Sequence, residues 1–217
     1  MVTNTNHPQV IFIGIAGPSG CGKTTYGRHL VDHLRSPLHL IELDHFFNHG
    51  ISIDHPILGR IESQEEPGTL DIQQLLNLLR HIKYEPEKTT RYHLDSVSIK
   101  HQNNIFIIVE GFLLFALSND LTNMFDIRIF FESTLSECRM KRYRRHSRIS
   151  DKVSDEQIRI PNKFQQWFDH LVWNEYLKRR NLQISKAEKI FQFDDYKNRQ
   201  YMQIDDYIDK RLQELTD

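Results

Sequence analysis

Five short apolar runs punctuate the chain: Val10–Ile15, Leu38–Glu42, Ile105–Val109, Ile127–Phe131 and Lys189–Phe193. Each is rich in Ile, Val, Phe or Leu and is bounded by turn or helix signals, the pattern of a short buried strand. Between them the apolar period lengthens. Tyr26, Leu30 and Leu34 fall on one helical face, and Ile72, Leu75, Leu76, Leu79 and Ile82 form a stripe after Pro67-Gly68-Thr69. Near the C-terminus Ile204, Tyr207, Ile208, Leu212 and Leu215 repeat the pattern. Strands alternating with helices predict an α/β fold of three layers, α/β/α, around a mainly parallel five-stranded sheet. Such sheets bind ligands at the carboxyl ends of their strands.

Composition narrows the class without naming a chemistry. The 217 residues suit one domain with a mobile insertion, and 39% hydrophobic with 26% charged residues argues against wholesale disorder. The apolar runs are far too short to cross a bilayer, and Met1–Asn6 lacks the pattern of a secretory leader. Cys21 and Cys138 are the only cysteines, too few for a disulfide framework, so a reducing, cytoplasmic setting is expected. A net charge of −1 offers no general attraction to nucleic acid or to an anionic membrane. Any anion site must come from local arrangement.

One stretch supplies that arrangement. Gly17-Pro18-Ser19-Gly20-Cys21-Gly22-Lys23-Thr24, followed by Thr25, satisfies the P-loop pattern between the first strand and the first helix. Glycines let backbone N–H groups turn inward around an anion, Lys23 can reach the β- and γ-phosphates, and the Thr24 hydroxyl can ligate Mg²⁺. The new helix adds the positive end of its dipole. ATP and Mg²⁺ are therefore the expected cofactors, in a P-loop NTPase fold.

Two strand ends carry carboxylates: Asp44 after Leu40–Leu43, and Glu110 after Ile105–Val109. Beside a P-loop such a group can orient the metal or deprotonate an attacking hydroxyl. Glu110 is the better metal-side residue and Asp44 the better base, with His45 a rival. A dense basic run, Arg139 to Arg148, then opens a segment at about 139–161 that reads as a mobile lid. Arg142 and Arg145 share a helix face, with Arg148 one turn on, and lid arginines can neutralise a transferred phosphoryl group. A solvated basic face or a nucleic-acid helix are the competing readings. Trp167, Phe168, Trp173 and Tyr176 are expected in the core, with stacking on a base or nicotinamide ring the alternative. Asp169, acidic amid these aromatics, needs a partner; it either holds the lid or meets a ribose hydroxyl.

The blocks Asp44-His45-Phe46-Phe47, Glu110-Gly111-Phe112-Leu113-Leu114-Phe115 and Phe168 to Leu177 resemble nicotinamide riboside kinases, part of the wider uridine kinase-like group of P-loop kinases. The resemblance runs from the P-loop to about Arg180 and is patchy between Asn48 and Asn104. It implies a single P-loop kinase domain over 1–217, with Asp44 acting on a nucleoside 5′-hydroxyl and Glu110 near the metal. Where the family carries an aromatic followed by Asp to hold the ribose, this chain reads Gln64-Glu65-Glu66-Pro67, which puts Glu65 in the aspartate's place. The family's second acidic residue after the base is His45 here. Arg91-Tyr92-His93 looks closer to uridine kinases, with Arg91 a candidate to orient the acceptor; a plain surface segment is the alternative. The expected partner is a small nucleoside, with no nucleic acid and no membrane. Nicotinamide riboside leads, uridine or cytidine follows, and a non-catalytic nucleotide-binding regulator is the reading from a different class.

Overall fold

The computed structural model describes residues 9–86, 88, 104–150, 152–193 and 197–216. Its central sheet contains β1 (Gln9–Ala16), β2 (Ile41–Glu42), β5 (Asn104–Gly111), β6 (Ile127–Glu132) and β7 (Lys189–Gln192), in the order β2-β5-β1-β6-β7. Every pairing in it is parallel. All five expected strands are present, although the second shrinks to two residues.

Period-two alternation divides each central strand between two cores. From β1, Ile11, Ile13 and Ile15 enter one cluster, while Phe12 and Ala16 enter the other. The first cluster is closed by α1 (Lys23–His33), through Tyr26 and Leu30, and by the C-terminal helix α7 (Lys197–Thr216), through Ile204, Ile208 and Leu212. The second is closed by α2 (Ile72–Tyr84), through Leu75, Leu76, Leu79 and Ile82. Asp71 caps α2 by accepting the Gln74 N–H at 2.8 Å. Leu30 is fully buried, so Leu30→Ala would cost roughly 2–5 kcal/mol in transfer and cavity terms. The result is the three-layer α/β/α architecture that the alternation predicts.

Two features fall outside the expected elements. An antiparallel hairpin, β3 (Ile51–His55) with β4 (Gly59–Ser63), stands apart from the main sheet. Its His55 Nε2 lies 3.2 Å from the carbonyl oxygen of His170. That carbonyl belongs to a π-helical stretch, Phe168–Trp173, joining α5 (Asn162–Trp167) to α6 (Asn174–Lys186). Phe168 and Tyr176 are buried and Trp167 and Trp173 pack against the clusters, as the aromatic spacing predicts.

After the one-turn helix α3 (Asn119–Thr122), the basic run forms most of α4 (Leu135–Ser147). A capping box starts this helix: Thr134 Oγ1 accepts the Glu137 N–H at 3.3 Å, and Glu137 Oε2 accepts the Thr134 N–H at 3.2 Å. Arg148 ends it in the left-handed region, φ 53°. The polar stretch beyond is not featureless. It contains a short 3₁₀ turn, Asp155–Gln157, held to α4 by Arg144 Nε donating to Asp155 Oδ1 at 2.7 Å.

Candidate functional site

β1 has neighbours on both sides, β5 and β6, and its last residue Ala16 is level with Gly111 and Phe130. The P-loop therefore leaves the sheet between two strand ends, where α1 begins at Lys23. Gly20 has φ +88°, and a Cβ there would stand 2.4 Å from the carbonyl oxygen of Cys138 in α4. This approach needs glycine, and it seats the phosphate loop directly against the base of the basic helix.

A cavity of about 1090 Å³ opens over the loop. Ser19, Gly20, Gly22, Lys23, Thr24 and Thr25 form its floor. Gly17, Pro18 and Cys21 complete the turn beneath; Cys21 is fully buried, and burial pushes its thiol pKa up. Lys23 is buried too. Its Nζ donates to the Pro18 carbonyl at 2.9 Å and lies 4.0 Å from Glu110 Oε2. Burial works against its charge, but the acidic groups around it, Cys21, Glu110 and Asp44, hold its pKa above the ordinary lysine value.

Glu110 comes from the end of β5 and is 5% exposed. Burial pushes its pKa up, against the opposing pull of Lys23 and of the Thr24 hydroxyl. Thr24 Oγ1 donates to Glu110 Oε1 at 2.6 Å. A hydroxyl and a buried carboxylate oxygen in contact at the mouth of a phosphate loop form the hard oxygen set that Mg²⁺ prefers, so these residues fit that ion.

Asp44 lines the same cavity from the 3₁₀ turn Leu43–Phe46 after β2. A Cβ on Gly111 would be 2.6 Å from Leu43, so only glycine lets this turn lie close against the end of β5. His45, the rival base, is exposed and does not line the cavity. Glu65 follows β4 on a loop tightened by Thr69 Oγ1, which donates to Glu66 O at 2.6 Å. It is half-buried. Burial, and next the neighbouring Asp44 carboxylate, pushes its pKa up to about 7. Glu66 Oε2 beside it is buried without a hydrogen-bond partner among the described residues. Arg91-Tyr92-His93 lies outside the described residues.

The basic wall differs from the one expected. Lys141, Arg144, Arg145 and Arg148 line the cavity and Arg142 does not. At 3.6 residues per turn, positions 141, 144, 145 and 148 make one stripe, and 142 lies about 100° round from 141. Arg144 is committed to structure: besides Asp155, it donates to the carbonyls of Ser150 and Val153. Asp169 is likewise diverted from the cavity. Its Oδ2 accepts from Arg139 Nη1 at 2.6 Å, which ties it to α4, and it does not line the cavity.

Sequence reasoning missed the aromatic pair Phe193 and Tyr201, which lines the cavity on the β7 side. Phe193 stacks on Phe131 with centroids 4.5 Å apart, and on Tyr201 at 6.0 Å. The signal was one lone Phe at a strand end and one Tyr in a long amphipathic helix. Also missed was Gln183, fully buried in α6. It donates to the Phe112 carbonyl at 3.0 Å and accepts the Phe115 N–H at 3.4 Å, pinning the segment after Glu110.

No described helix is long and apolar enough to cross a membrane. No protein-family model matches the chain. Human nicotinamide riboside kinase 2 is 24% identical over 192 residues, spanning 88% of this chain and 76% of that protein. A uridine kinase from Lactiplantibacillus plantarum is 26% identical over 148 residues, spanning 61% of this chain and 66% of the relative. Among solved structures, a possible uridine kinase from Bacillus stearothermophilus superposes with a TM-score of 0.47 at 16% identity, over 85% of this chain and 89% of that one. The sequence is thus similar to two kinases, and the fold stands on the strand order and phosphate loop described above.

Proposed function

We propose that this protein is a P-loop kinase that transfers the γ-phosphoryl group of ATP to the 5′-hydroxyl of a ribonucleoside, with nicotinamide riboside as the leading acceptor. The observation that carries the reading is the convergence of Asp44, Glu110, Lys23 and a stripe of α4 on one cavity. A pure nucleotide switch has no use for a carboxylate on the acceptor side of its phosphate loop. The similarity to a nicotinamide riboside kinase spans more of the chain than that to a uridine kinase, which supports naming nicotinamide riboside first.

In this reading Asp44 takes the proton of the 5′-hydroxyl as its oxygen bonds to the γ-phosphorus, and the bond to the leaving ADP oxygen breaks. Lys23, Lys141, Arg145 and Arg148 neutralise charge spread over the transferred group. Thr24 and Glu110 would hold Mg²⁺, which would supply positive charge to offset that of the phosphates. Glu65 and Glu66 accept ribose hydroxyls, and Phe193 with Tyr201 forms a wall for the adenine. The segment at 139–161 acts as the lid that excludes water.

The test is ATP turnover with nicotinamide riboside, uridine, cytidine and, as a non-nucleoside control, pantothenate. Turnover stimulated by nicotinamide riboside above the others supports the full reading. Preference for uridine or cytidine would keep the mechanism and replace the acceptor. Turnover indifferent to every nucleoside would sink it.

A further inference from the structure

The far half of α1 carries a second cluster of ligating side chains, away from the phosphate cavity. His29 and His33 are four residues apart, so their rings lie one above the other on a single helix face, stacked at 5.9 Å. Opposite them on α7 are Asp205 and Asp209, with the same spacing. His29 Nε2 is 2.8 Å from Asp205 Oδ2, and His33 Nε2 is 3.3 Å from both oxygens of Asp209. Ligand atoms of His29, His33 and Asp205 all lie within 4.8 Å of one another.

We propose that His29, His33, Asp205 and Asp209 form a binding site for a divalent transition metal of the Zn²⁺ class, clamping α7 to α1. Two imidazole nitrogens with two carboxylates are a borderline donor set, suited to Zn²⁺ and its neighbours rather than to Mg²⁺ or Ca²⁺. Their two negative charges balance the ion. Metal–ligand bonds of about 2.0–2.2 Å place tetrahedral neighbours roughly 3.4 Å apart. The Asp209–His33 separation of 3.3 Å is close to that value, and the ligand atoms of His29, His33 and Asp205 are already within 4.8 Å of one another.

Two further features suit a metal site. Buried Tyr26 donates its hydroxyl to Asp205 Oδ1 at 2.7 Å, fixing the carboxylate as outer-shell partners do, and leaving Oδ2 for the ion. The side chains of His33 and Asp209 are 33% and 47% exposed, giving the ion a way in from solvent. The site also touches the nucleotide cavity indirectly. His29 packs on Tyr201 at 4.8 Å, and Tyr201 is part of the cavity wall. An ion here would steady that wall without entering the chemistry.

The experiment is calorimetric titration of the metal-free full chain with ZnCl₂, with thermal melting read in parallel. One equivalent should bind and raise the melting temperature. Because His33 and Asp209 are at the rim, His33→Ala and Asp209→Ala should fold normally, yet each should weaken Zn²⁺ binding at least about tenfold and lose the thermal shift. Glu110→Gln, in the other cavity, should bind Zn²⁺ like the unmodified chain. Absence of saturable binding, wild-type affinity in both rim variants, or loss of binding in Glu110→Gln would each overturn the site. None of these readouts depends on kinase activity.

Discussion

The two sides of the cavity are built in opposite ways. The side proposed for the phosphate donor is local: one turn of chain from Gly17 to Thr25, and one stripe of a helix from Lys141 to Arg148. The side proposed for the acceptor is assembled at a distance: Asp44 comes from a 3₁₀ turn after β2 and Phe112 from a segment after β5 pinned by Gln183, while Glu65, on the loop after β4, feels the Asp44 carboxylate from outside the lining. A local site is fixed by backbone geometry and tolerates drift elsewhere. A dispersed one depends on how separate elements pack, so it is where specificity can change while the phosphate chemistry stays the same.

The largest expected effect is on the donor side. Lys23→Ala removes a buried cation beside Glu110 that the proposed reaction uses on the phosphates, and turnover with nicotinamide riboside should fall about 10⁴-fold. Near-normal turnover would show that the loop is not the phosphate site. Asp44→Asn tests the other side, keeping shape while removing the base. It should lower kcat about 10³-fold and leave ATP affinity within about threefold. If it instead weakened ATP binding with kcat intact, Asp44 would belong to the donor half and the contrast between the two sides would collapse.

These two residues were also the most legible. A P-loop is contiguous, and Asp44 and Glu110 each end an apolar run, so strand periodicity alone brings them to one edge. The arginines were harder, because which of them faces the cavity depends on helix phase. That phase is set by the capping box at Thr134 and Glu137, a signal present in the sequence but unused. The hairpin hid because Ile51 and Ile53 alternate over too few residues to separate a strand from a loop, and Ile51 stays exposed. The role of Asp169 depended on its pairing with Arg139 across thirty positions, which no local pattern encodes.

Helix phase should separate two neighbouring arginines by an effect of intermediate size. Arg145→Ala should reduce kcat/KM about 100-fold, since it removes a cation that lines the cavity, whereas Arg142→Ala should stay within about threefold. The reverse order would mean that α4 turns on closing and presents its other face.

The smallest effect concerns Glu65 and is read in stability. Its carboxyl pKa is raised from an ordinary 4.5 to about 7 by burial and by Asp44. In that window the folded chain holds a proton that the unfolded chain has released. Glu65 therefore supports folding fully below pH 4.5, and its contribution is lost as pH rises to about 7. Glu65→Gln keeps the shape of the protonated acid without titrating. It should match the wild-type melting temperature near pH 4 and exceed it at pH 8. After discounting for partial exposure, the gain is on the order of 1 kcal/mol, or about 2–4 °C for a chain of this size. The same variant should raise KM for the nucleoside while leaving KM for ATP unchanged, because a neutral amide is a weaker acceptor for ribose hydroxyls. A melting difference that does not vary with pH would show that burial and the Asp44 charge do not hold the proton on Glu65.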